Sequence, residues 1–210
     1  MENPQITTYW AGALFNHKEL IGNLMLSKAV ESISDGRYAI RLPQNFQTSP
    51  SATAVDIRNA DLKELIQCDA VVANFDGTDL DSGTVVEFCV AKALDMPIVL
   101  LRTDFRNVGD ADGIPWNLMC AGWPRSEILW INALAEYHRH ASEDLHNILA
   151  RRIIQSLNKA CAMKPWLSAD DAAAHFQRTV QSIGGGLSKL LTDETIAAIV
   201  ERKRQKGLLA

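Results

Sequence analysis

Two short apolar runs limit the folds open to this chain. Residues Asp69–Phe75 read DAVVANF and Pro97–Leu101 read PIVLL. Neither alternates polar with apolar residues, so neither leaves a solvated face. Strands of this kind belong to parallel sheets covered on both sides by helices. Ile6–Trp10 predicts another buried strand ending at Ala11-Gly12, and Tyr38–Leu42 a strand closed by Pro43. Between them, Lys18–Ile33, Ala54–Ile66 and Gly83–Leu94 repeat apolar residues at helical spacing, while polar Gln44–Thr53 predicts a loop. Ile128–Ile131 predicts a last strand, followed by a helix over roughly 141–163. This alternation predicts a doubly wound α/β fold with helices on both faces. Ligands in such folds sit at the carboxyl ends of the strands, here the loops 11–16, 76–83 and 102–122.

The 210 residues suit one α/β domain with a small appendage. After Pro165 the pattern changes: Ala169–Ser182 and Thr192–Gln205 predict helices separated by Gly184-Gly185-Gly186, read as a hinge. A net charge of −4 argues against a groove for a nucleic acid polymer but not against uncharged small substrates. The four cysteines, at 68, 89, 120 and 161, show no CxxC spacing and are expected to be reduced core thiols. His138, His140 and His146 lack the spacing of a metal site, so no metal or cofactor is expected. Met1–Ile6 has no secretory character and no apolar run approaches the ~18 residues of a membrane span. The expected location is the cytoplasm.

The densest chemistry lies in VVANFDGTDLDSGTVVEF, residues 71–88. FDGTDLDS has the look of the phosphatase motif DxDGT, whose first aspartate attacks phosphorus. Asn74 stands at that position, and an amide cannot form the aspartyl-phosphate. The other reading makes Glu87 the active group. A helix starting at Gly83 or Thr84 puts Glu87 on its first turn, where the dipole favours an ionised carboxylate able to attack an anomeric carbon. Thr84-x-x-Glu87 also fits a capping box, and this segment alone leaves the two readings balanced.

A wider set of segments resembles the nucleoside 2-deoxyribosyltransferase family: TYWAGALF (8–15), ADLKELIQCDAVVAN (60–74), DSGTVVEFCVA (81–91), KALDMPIVLLRTDFR (92–106) and WNLMCAGW (116–123), in the family's order. The resemblance implies a flavodoxin-like fold and transfer of a 2-deoxyribosyl group between nucleobases through a glycosyl-enzyme ester. It implies that Glu87 is the nucleophile, that Tyr9 orients it, that Asp81 lines the site, and that Asp61 faces the nucleobase and helps protonate it; the residues themselves leave open which of the two aspartates carries the proton. Asn117 would hold the sugar 5′-hydroxyl in a neighbouring subunit's site, so a homo-oligomer is expected. Gly12, Phe15 and Gly83 complete the expected substrate-binding set, with Trp10 a further candidate wall for the base. The expected division is a catalytic domain over 1–164 and a helical extension over 165–210. Many members end soon after the core, and this chain runs on to Ala210.

The expected partners are a deoxynucleoside and a free nucleobase, with no membrane. Two alternatives share the fold. Water in place of the second base gives an N-glycoside hydrolase of deoxynucleosides or their 5′-monophosphates, and a nucleotide-sensing module would bind without turnover. The presence of Glu87 argues against the last.

Overall fold

The structure, a computed structural model, describes residues 4–46, 49–106, 109–140 and 144–210. Five strands, β1 (Ile6–Ala11), β2 (Tyr38–Arg41), β3 (Ala70–Asn74), β4 (Ile98–Arg102) and β5 (Ser126–Trp130), form one parallel sheet in the order β2-β1-β3-β4-β5. This is the doubly wound, flavodoxin-like α/β fold. The helices are α1 (His17–Ile33), α2 (Ala54–Gln67), α3 (Ser82–Ala93), α4 (Ala133–Arg139), α5 (Leu145–Ala162), α6 (Ala169–Ile183), α7 (Leu187–Leu190) and α8 (Asp193–Gln205).

Successive strand residues face opposite sides, so each strand feeds two cores. Tyr9, Ala11, Val71, Ala73, Ile98 and Leu100 face α2, α3 and the C-terminal helices. Ile6, Trp10, Ala70, Val72, Val99 and Leu101 face α1 and α5. Burying an aliphatic side chain of this size is worth roughly 1.5–3 kcal/mol. A one-residue slip would exchange the two sets, so the register Tyr9 opposite Val71 and Val72 opposite Val99 is firmly specified.

Three segments differ from expectation. The polar 44–53 segment begins inside a short 3-10 turn, Pro43–Asn45, started by the fixed φ of Pro43. The helix expected from 141 starts instead at Leu145, after the separate α4, and residues 141–143 lie outside the described set. Cys89 is on the surface of α3 rather than in the core.

The segment after Pro165 shares the core of the α2/α3 face. Phe176, Leu187, Leu191, Ile196 and Ile199 are buried in one cluster with Leu62, Leu65 and Tyr9. Two ionic anchors hold it. Asp69, wholly buried, accepts hydrogen bonds from the Thr7 amide and hydroxyl and pairs with Lys206 at 2.7 Å and Arg202 at 3.4 Å. Lys203 reaches the Cys68 carbonyl beside it. Asp95 pairs with buried Arg125 at 3.2 Å and accepts from the Trp166 and Leu167 amides, while Arg125 donates to the Leu208 carbonyl. The basic end of α8 therefore complements a buried carboxylate as well as its own helix dipole.

Burial alone would raise the Asp69 carboxyl, but Lys203, Lys206 and Thr7 together hold it below its ordinary value. A carboxylate whose pKa falls on folding stabilises the fold above its unfolded pKa, and that contribution fades as pH drops through the folded value. Asp69→Ala, which strands buried cations, should cost about 3 kcal/mol at pH 7 in urea unfolding. The gap between wild type and variant should narrow below pH of about 4.

Candidate active site

β1 delivers Tyr9 to the α2/α3 face, and α3 delivers Glu87 to meet it. The Tyr9 hydroxyl donates to Glu87 Oε1 at 2.5 Å. Helix α3 is seated by aromatic packing beneath it: Phe75 lies edge-on to Phe88 at 6.2 Å and to Trp116 at 5.4 Å.

The start of α3 settles the capping question. Asp81 is the N-cap, and its Oδ2 accepts from the Thr84 amide at 2.7 Å and the Thr84 hydroxyl at 2.8 Å. Helical residues begin at Ser82, so Glu87 lies on the second turn, not the first. The capping box between Thr84 and Glu87 does not form. The cap is Asp81, and the Glu87 side chain is free to turn inward to Tyr9. Asp81 Oδ1 has no hydrogen-bond partner among the described residues, so the cap leaves one carboxylate oxygen available.

The other acids of the loop have separate structural work. Asp76 accepts from the Thr103 amide and hydroxyl, each at 2.6 Å, and from the Asp104 amide at 2.9 Å. Buried Arg102 donates to the Phe75 and Gly77 carbonyls, each at 2.8 Å. Together they tie the loop leaving β3 to the end of β4, which fixes the approach to Asp81 and α3. Asp79 accepts from the neighbouring Leu80 amide.

Electrostatics differ from the dipole argument. Burial pushes the Glu87 carboxyl up to about 7; the bond from Tyr9 opposes this, and the charges of Asp61 and Asp81 add to it. Burial likewise raises Asp61, on α2, to about 6. The Tyr9 phenol is raised far above its ordinary value by burial and by Glu87, so it remains a hydrogen-bond donor. Two half-buried carboxyls thus share the neutral pH range, close enough for one to act on the other.

Of the residues expected from sequence, Tyr9, Asp61, Asp81 and Glu87 converge. The rest stand apart. Gly12 lies just beyond β1, where an added Cβ would come within 3.2 Å of Asn74 Cβ, so glycine permits close approach of the first loop to β3. An added Cβ at Gly83 would crowd Asp81 Oδ2 at 3.1 Å. Phe15 is 78% exposed. Asn117 is exposed and caps a 3-10 turn through Met119 N. Trp10 is placed on the opposite face: it is buried against α1, donates to Asn23 Oδ1 at 3.1 Å, and lines no part of the Tyr9 site. The aromatic on the correct face is Phe46, with its ring 6.3 Å from that of Tyr9. Its only sequence signal is that it is the one aromatic residue in a polar loop.

A cavity of about 400 Å³ opens on the Trp10 face, lined by Trp10, Asn23, Asn74 and His146 among others. None of Tyr9, Asp61, Asp81 and Glu87 lines it. Chemistry rather than volume therefore places the candidate site on the α2/α3 face.

Residues 8–119, more than half of the chain, match the sequence model of the family described as nucleoside 2-deoxyribosyltransferase. No curated protein matches. Among solved structures, a conserved protein from Enterococcus faecalis V583 is 22% identical with a TM-score of 0.50, over 74% of this chain and 98% of that one. A 2-deoxyribosyltransferase from Leishmania mexicana is 23% identical with a TM-score of 0.47, over 66% and 99%. One from Bacillus psychrosaccharolyticus is 18% identical with a TM-score of 0.44, over 66% and 95%.

Because the Tyr9 bond favours the ionised form of Glu87, Tyr9→Phe should drive the Glu87 pKa above its starting value near 7. Carboxyl ¹³C NMR titration of the folded variant reads this directly. A fall or no change would mean that the phenol does not hold the carboxylate in solution.

Proposed function

The chain belongs to the nucleoside 2-deoxyribosyltransferase family, and from that premise we propose that it moves a 2-deoxyribosyl group from one nucleobase to another through a covalent ester on Glu87. It is an enzyme of this type, with nucleosides and nucleobases as substrates. The observation that supports the residue assignment is the 2.5 Å bond from Tyr9 to Glu87 Oε1. It holds one oxygen and leaves Oε2 without a hydrogen-bond partner among the described residues.

In the proposed first step, Glu87 Oε2 attacks C1′ of the bound deoxynucleoside. The C1′–N bond breaks, its electron pair goes to the base nitrogen, and that nitrogen takes a proton from Asp61. The deoxyribosyl group is now an ester of Glu87. In the second step a nitrogen of the incoming base attacks C1′, the ester bond breaks, and the proton of that nitrogen returns to Asp61. Two inversions give net retention. Asp61 is preferred to Asp81 as proton carrier because burial raises it into the useful range, while Asp81 spends one oxygen on the helix cap. Phe46 is placed to stack on the base. Gly12, Gly83 and Phe15 border the loops through which substrate enters. Asn117, exposed on its loop beside exposed Leu118 and Met119, is read as serving a second subunit of a homo-oligomer. Residues 1–164 are read as the catalytic domain and 165–210 as an extension that buttresses it.

Incubation with a deoxynucleoside and a different free base, followed by chromatography, tests the reaction. New nucleoside is expected; free sugar instead would make the protein a hydrolase, and unchanged substrate a binding module. Glu87→Ala should abolish both turnover and the deoxyribosyl adduct seen by intact mass. Survival of either would remove Glu87 as nucleophile.

The pH dependence follows from the two carboxyls. Activity should fall on the acid side as Glu87 gains a proton and on the alkaline side as Asp61 loses one, giving a bell centred between about 6 and 7. Asp61→Asn removes a charge that raises Glu87, so the acid limb should move to lower pH while kcat falls at least about 100-fold.

A further inference from the structure

The triple glycine, expected as a hinge, is clamped. Gly184, Gly185 and Gly186 all take positive φ, at 67°, 62° and 85°, which no other residue type adopts in succession at low cost. The turn they make lies against α2. Asn59, almost wholly buried, donates through Nδ2 to the Gly185 carbonyl at 2.7 Å. Its Oδ1 accepts from Arg58 Nη2 at 2.7 Å, and the same guanidinium donates to the Gly184 carbonyl at 3.1 Å. A Cβ at Gly185 would collide with that guanidinium. Every polar atom of the Asn59 amide is thus aimed at the clamp.

Asp61 lies two residues further along the same helix. That spacing is about 200° of rotation, so Asn59 and Asp61 flank the buried stripe of α2 on opposite sides. The tail grips one side of the helix while the other presents Asp61 to Tyr9 and Glu87. Leu187 and Leu191, just beyond the turn, are buried in one cluster with Leu62, Leu65 and Tyr9. The same tail therefore supplies part of the apolar packing that keeps water from this side of the sheet.

We propose that Asn59 is a positioning residue for the acid of this site: by holding the Gly184–Gly186 turn against α2, it seats the helix that carries Asp61 against β1. The inference rests on the reading of Asp61 as proton carrier given above. The titratable groups that face Asp61 from other elements are Tyr9 on β1 and Glu87 on α3, and its charged neighbours along α2 are Arg58, Lys63 and Glu64. At the clamp the tail adds backbone carbonyls and apolar side chains, so loosening it admits water toward Asp61; the one charge it frees is the Arg58 guanidinium, which stays on α2.

The test approaches the clamp from both sides in the full chain, with Asn59→Ala and Gly185→Ala, and with Asn59→Ser as the milder change should either fail to fold. Carboxyl ¹³C NMR follows Asp61 in each folded variant, and kcat and KM for base exchange are measured across pH. The Asp61 titration should fall by roughly half to one unit in both variants as water reaches it. Exchange should lose about tenfold in kcat with little change in KM. The double variant should be no worse than either single one, as expected of partners in one contact. An unmoved Asp61 titration and an unmoved pH profile, with only the urea midpoint lowered, would reduce the clamp to a structural tie and overturn the proposal. A shifted titration in a protein that neither exchanges nor hydrolyses would keep Asn59 as the seat of Asp61 and instead overturn the catalytic reading.

Discussion

The hydrogen bond from Tyr9 to Glu87 joins a central strand to the helix beside it, and most of the structure bears on whether those two atoms meet. The phenol is fixed because β1 is paired on both sides, with Tyr9 opposite Arg41 of β2 and Val71 of β3. The carboxylate is fixed because α3 is capped by Asp81 and seated through its Phe88 on Phe75, which Trp116 backs. The loop between β3 and α3 is tied by Asp76 and Arg102 to the end of β4. Each restraint is local and modest. Together they place a buried donor against a half-buried acceptor, where losing one partner leaves the other unsatisfied at a cost of about 1–3 kcal/mol.

Much of this was legible in the sequence because burial leaves a pattern. DAVVANF and PIVLL announce strands covered on both faces, and the sheet contains both at its centre. Which face each residue takes was legible too, since neighbours on a strand point opposite ways. Tyr9 and Trp10 cannot line one pocket, and the alternation rule excludes Trp10 as soon as Tyr9 is assigned. The start of α3 was harder. Asp81, Ser82, Gly83 and Thr84 all occur near helix N-termini, and one residue's shift in the cap moves Glu87 from the first turn to the second. Phe46 was hidden because it approaches Tyr9 from a loop whose path is set by Pro43 and by tertiary packing, not by periodicity.

The C-terminal segment shows the same limit from another side. Its helices are readable from their spacing, and its basic end from composition. What neither reveals is a partner far away in sequence. Lys206 meets Asp69 across 137 positions, and Asn59 meets Gly185 across 126. An ion pair of this kind becomes visible only when the sheet has placed the start of β3 beside the end of α8. Burial then decides its weight: the Asp69 side chain is wholly excluded from solvent, whereas the Arg204–Glu201 pair on the same helix is exposed and contributes little.

The proton bookkeeping of the proposed reaction sets a condition on the order of events. In the free site burial raises both carboxyls, Glu87 to about 7 and Asp61 to about 6, so the pair shares a proton in the neutral range. The proposed chemistry requires that proton on Asp61, with Glu87 ionised. A bound base supplies the missing preference. A ring nitrogen that accepts from the Asp61 carboxyl stabilises its neutral form, and the rise in Asp61 transfers the shared proton away from Glu87. The Tyr9 hydroxyl works in the same direction, since its bond to Oε1 is stronger when Glu87 is charged. On this argument a bound base draws the shared proton to Asp61 and leaves the proposed nucleophile, Glu87, ionised, with the seat of Asp61 on α2 setting how readily the exchange occurs.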